Sequence, residues 1–144
     1  MNRRRIFATM LAAIGAPIAI GATARAAEGP KVVYHLCDLD KVAFVLGNIQ
    51  NHFDGMGGPD KVTIALAVHG PALKAFHASG ARGETSRDLV KLVKTGLRPY
   101  ACGNTMRSQH VTLTDLLPGF AAADKGAVVL LAELQSQGFI YLRP

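Results

Sequence analysis

Lys61-Val-Thr-Ile-Ala-Leu-Ala-Val68 is apolar at nearly every position, odd and even alike. A strand that alternates apolar with polar residues leaves one face to water. A strand apolar on both faces has to be covered twice, as in the middle of a parallel sheet. Four shorter runs have strand character: Lys31 to Leu36, Leu97 to Ala101, Phe120 to Ala123 and Phe139 to Leu142.

Helical periodicity fills the intervals. Val42, Val45, Leu46, Ile49 and Phe53 form one apolar stripe, with Asp38 or Asp40 placed to cap it and Asp54 to Gly58 to stop it. Pro71 opens a short helix over Ala72 to Ala78. Thr85 to Lys94 turns Leu89, Leu92 and Val93 inward and ends at Gly96. After Cys102, Asn104 is placed to cap one short helix and Thr114 another around Asp115-Leu116-Leu117. Ala127 to Gln137 carries Leu130, Leu131 and Leu134 and stops at Gly138. Pro99 has no amide hydrogen for a ladder, so it should open its strand or face outward. Strands alternating with helices predict an α/β fold: a single flavodoxin-like domain with a five-stranded, mostly parallel sheet and helices on both faces.

The first 26 residues read as a cleavable export signal, leaving residues 27–144 for the domain. The segment begins with Arg3, Arg4 and Arg5, continues uncharged from Ile6 to Ala24, and closes on Ala24-Arg25-Ala26, a small-x-small cleavage pattern. Arg4-Arg5-Ile6-Phe7 resembles the twin-arginine signal, which implies a periplasmic destination. Gly15, Pro17 and Gly21 dilute the apolar stretch below what a membrane span needs, so no stable insertion is expected once it is removed. The whole chain of 144 residues carries a net charge of +6, but four arginines and no acid lie before Ala27. The remaining 118 residues hold 12 basic against 10 acidic side chains, a net charge of +2. With no basic cluster and no tryptophan there, nucleic-acid binding has no support.

No glycine-rich dinucleotide fingerprint follows the first strand, and no phosphate-binding loop occurs, so no nucleotide or flavin cofactor is expected. The histidine and cysteine spacings form no zinc motif, and none is assigned as a metal site. Ligand sites in open parallel sheets lie beyond the carboxyl ends of the strands. Here those ends deliver His35 and Cys37, His69, and Cys102. With strand order 2-1-3-4-5 the first and third strands would be neighbours, and the two thiols would face each other. Gly103, Asn104 and Thr105 place Cys102 at the start of a helix, where free amides favour a thiolate. The same placement suits a reactive cysteine or a half-cystine. Cys37 is a resolving thiol or a disulfide partner, and His69, beside Gly70, is a candidate to polarise a ligand or orient the thiol. A soft metal held by the two thiols and a histidine is the remaining alternative.

Tyr100-Ala-Cys-Gly-Asn-Thr-Met106, with Leu130 to Pro144 downstream, resembles the DsrE/DsrF family of sulfur-relay proteins, in its small exported branch. Asn48 to Gly57 and Val68 to Phe76 carry the same likeness. The resemblance implies a homo-oligomer, a trimer or hexamer, and a cysteine that carries sulfane sulfur as a persulfide between a donor and an acceptor. Cys102 stands at the matching position, while Cys37 falls where the family more usually has Asn or Ser. The implied role is that of a carrier more than a turnover enzyme. The alternative is a non-catalytic ligand or metal module stapled by Cys37 and Cys102.

Overall fold

The computed structural model describes residues 29–144. The export segment read over residues 1–26 lies outside the described residues. Five strands form one parallel sheet: β1 (Lys31–Leu36), β2 (Thr63–Val68), β3 (Arg98–Cys102), β4 (Ala121–Ala123) and β5 (Phe139–Leu142). Between them run α1 (Val42–Met56), α2 (Gly83–Thr95), α3 (Gly103–Ser108) and α4 (Ala127–Ser136), with a 3-10 helix over Gly70–Phe76 after β2. The α/β fold expected from the alternation is present, with helices on both faces.

The strand order is β4-β3-β2-β1-β5, not 2-1-3-4-5. From β1 to β4 each strand is laid beside the one before it, and the connecting helices pack on one face. There Val45, Leu46, Ile49 and Phe53 of α1 and Leu89 and Leu92 of α2 meet Val32, Ile64, Leu66 and Ala101 of the sheet. Met106, Leu116 and Leu117 belong to that same core. The chain then reverses direction to place β5 beside β1. A right-handed crossover can reverse only by passing over the opposite face. Accordingly, Leu131 and Leu134 of α4 cover Val33, Ala65 and Ala67, whose small side chains make a thinner core.

Local chemistry accounts for the boundaries. The α1 stripe is buried as its spacing predicts, and Gly57 ends the helix in the left-handed region at φ 87°. Asp38 and Asp40 make no cap hydrogen bond; the Asp38 carboxylate instead takes the Arg143 guanidinium at 3.2 Å. Asn104 is not a cap either. Cys102 occupies the N-cap of α3, and the Asn104 side-chain oxygen accepts from Arg107. The cap near Asp115 comes from Thr112 rather than Thr114, in a reciprocal capping box with Asp115. Pro99 is the second residue of β3, paired with Leu66 of β2. β4 joins β3 only from Tyr100 onward, so a missing donor on that edge costs no ladder bond.

Candidate functional site

The true strand order moves the crevice. β3 leaves the sheet toward the α1 face and β4 toward the α4 face. The opening therefore lies between the carboxyl ends of β3 and β4. Cys102 closes β3 at that point, and Gly126 and Ala127 open α4 opposite it.

The Cys102 side chain is only 5% exposed. Burial alone would raise its pKa, but hydrogen bonds outweigh it: the Thr105 hydroxyl and the amides of Thr105, Ala127 and Asn104 hold the thiol below its ordinary value. The Ala127 amide donates to Sγ at 3.3 Å. The starts of two helices, α3 and α4, thus converge on one sulfur. Thr105 has a second duty. Its Oγ1 accepts from the Gly70 amide at 2.9 Å, which leaves its own hydrogen free for the sulfur. Gln109 ties the same residue down, donating to the Gly70 carbonyl at 2.9 Å while its Oε1 meets His77 Nε2 at 2.8 Å.

Two glycines allow the sulfur site to close. A Cβ on Gly103 would stand 2.9 Å from the Asp124 carbonyl oxygen and 3.0 Å from that of Ala123. A Cβ on Gly126 would stand 2.6 Å from Asn104 Nδ2, and its φ of 99° already favours glycine.

Cys37 does not face Cys102. β2 lies between the strands that carry them, and both cysteines are free thiols. The Cys37 sulfur rests against Gly70, 3.3 Å from where a Cβ there would be, and its carbonyl accepts from the Ala72 amide at 3.0 Å. The facing pair was expected from an assumed neighbour relation between β1 and β3, and it fails with that relation. Among the described residues, no group of three or more His, Cys, Asp or Glu side chains is placed to hold a metal ion.

His35 and His69 come together, as strand-end residues of adjacent strands. Their rings lie within 17° of one plane and meet edge to edge, with Nε2 2.5 Å from Nε2 and centroids 4.8 Å apart. His35 Nδ1 meets the Tyr141 hydroxyl at 2.6 Å. Both imidazoles are held below the usual histidine pKa. For His35 the causes are burial, then the charges of His69 and Arg143; for His69 they are burial, then Arg143, with Asp38 opposing in each case. Tyr141 and Arg143 are the residues that sequence reasoning missed. Nothing in their neighbourhood along the chain marks them; only the pairing of β5 with β1 does.

No family model matches the chain, and no curated protein does. Among solved structures it is similar to the protein of unknown function MTH1491 from Methanobacterium thermoautotrophicum. The identity is 26%, covering 80% of this chain and 99% of that one, with a TM-score of 0.70. That likeness supports the α/β fold. Among the described residues, no helix is long and apolar enough to cross a membrane.

Thr105→Val tests the sulfur site with little change in shape. It removes the hydroxyl from both the Gly70 amide and Cys102 Sγ, leaving a part-buried donor without its partner, at a cost of about 1–3 kcal/mol. The pH at which Cys102 becomes half-reactive toward iodoacetamide should rise. An unchanged midpoint in Thr105→Val would show that the hydroxyl does not act on the thiolate.

Proposed function

We propose that this chain is a sulfur carrier of the DsrE/DsrF type, with Cys102 as the residue that takes and releases sulfane sulfur. The observation that carries this reading is a buried sulfur at the starts of two helices: the Ala127 amide donates to it at 3.3 Å, and the hydrogen-bonding groups of Thr105, Ala127 and Asn104 lower its pKa where burial alone would raise it. The Cys102 thiolate attacks the outer sulfur of a donor persulfide, forming a new S–S bond as the old one breaks, and the donor leaves as a thiol. Delivery is the same exchange with an acceptor thiolate. No oxidant enters, because one sulfur–sulfur bond replaces another.

The twin-arginine-like segment supports a periplasmic site of action. A homo-oligomer, trimer or hexamer, belongs to the same reading and rests on the family resemblance.

Intact-mass measurement tests the carrier role. The domain isolated without reductant and incubated with a sulfane-sulfur donor should gain one sulfur, lose it on reduction, and fail to gain it as Cys102→Ser. Cys37→Ser should still load. Loading that survives in Cys102→Ser would overturn the assignment of the carrier residue.

A further inference from the structure

Val68 of β2 pairs with Ala101 of β3, so the next residues, His69 and Cys102, stand side by side at the carboxyl edge. Both are extended, and Ala67 and Tyr100, two residues earlier, face α4. His35 and Tyr141 share that face, two residues beyond Val33 and Phe139 respectively. Across β3, β2, β1 and β5 there runs a diagonal on that face, stepping back two residues from β2 to β1 and again from β1 to β5: thiol, imidazole, imidazole, phenol.

A neutral imidazole has one N–H and one lone pair, so the two hydrogen bonds in this row allow two proton arrangements. In the first, Tyr141 donates to His35 Nδ1, His35 Nε2 donates to His69 Nε2, and His69 carries its hydrogen on Nδ1. In the second, His69 Nε2 donates to His35 Nε2 and His35 Nδ1 donates to the Tyr141 oxygen. His69 Nδ1 is then bare, and the Tyr141 hydrogen points to solvent. The arrangements differ by a proton at His69 Nδ1, the ring nitrogen that the His35 contact leaves unused, and one at Tyr141, which is 39% exposed. Burial and Arg143 disfavour a charged imidazole, which suits a chain that passes protons without storing one.

We propose that His69, His35 and Tyr141 form a proton wire joining the sulfur chemistry at Cys102 to solvent; this rests on the sulfur-carrier reading above. The substrate class is a hydropersulfide, R–S–S–H. Thiolate attack on its outer sulfur gives Cys102–S–S–H and R–S⁻. The new persulfide proton passes to His69 Nδ1, each ring hands on one hydrogen, and Tyr141 releases one to water. R–S⁻ takes a proton from water and departs as R–S–H. Delivery needs the protonated persulfide as electrophile, so His69 Nδ1 returns the proton before the acceptor thiolate attacks. Loading sets the wire in its first arrangement and delivery resets it to the second.

The test uses cysteine hydropersulfide as donor and iodoacetamide as a control that brings no acidic proton. Tyr141→Phe keeps the surface ring and removes only the outlet; His35→Gln interrupts the relay within the sheet. Both variants should load roughly 10- to 100-fold more slowly than the wild type, with a diminished solvent deuterium isotope effect, while alkylation of Cys102 stays within about twofold. Wild-type loading rates in both variants would overturn the wire and leave the carrier standing. No loading in the wild type would overturn the carrier, and ¹⁵N histidine spectra then decide the wire by themselves. At a pH well above the usual histidine pKa they should show His35 and His69 averaging between tautomers; two fixed tautomers would overturn it.

Discussion

Gly103→Ala is expected to lower stability by about 1–3 kcal/mol and to return Cys102 toward an ordinary thiol. The added methyl would meet three backbone atoms, the carbonyl oxygens of Asp124 and Ala123 and the Asp124 Cα at 3.1 Å, none of which can swing aside as a side chain tip could. The start of α3 must therefore move away from the loop that carries α4. That motion separates Cys102 Sγ from the Ala127 amide, now 3.3 Å away. Denaturant unfolding reads the first effect and the pH profile of alkylation the second. A variant as stable as the wild type, with the same alkylation midpoint, would mean that the close approach at Gly103 is not what builds the sulfur site.

Phe76→Ala should cost more, about 3–5 kcal/mol, because the ring is fully buried and its removal leaves a cavity. Phe76 closes the 3-10 helix that begins at Gly70, packs edge-to-face on Phe120 with centroids 5.3 Å apart, and accepts the Leu117 amide through its carbonyl at 2.8 Å. Phe76→Leu should lose less, since it refills most of the volume. Urea titration of the pair gives the comparison. Equal losses in both variants would show that the edge-to-face contact, rather than the filled volume, matters most.

Much of the fold was legible because burial imposes short-range patterns. The α1 stripe, the doubly apolar β2 run and the strand Phe139–Leu142 each follow from side-chain spacing over a few residues. Cys102 was legible for the same reason, since a strand followed by Gly-Asn-Thr places its last residue at a helix start. Strand order was not legible. Periodicity says that a strand is covered on two faces but not which strand lies beside it. The expected meeting of Cys37 with Cys102 failed on that account, and Tyr141 escaped notice because it reaches His35 across 106 residues of sequence. Caps were missed where rivals stood close together: Thr112 and Thr114 are equally suited by type, and the outcome turns on which of them Asp115 can answer.

The sheet's two borders are its shortest strands, three residues in β4 and four in β5, against five or six within. A border this short offers a passing chain few rungs on which to continue the ladder, the usual defence against runaway strand addition and fibre growth. A strand ladder has no symmetry that ends it, so keeping the borders short removes the one surface of the sheet on which growth would be open-ended.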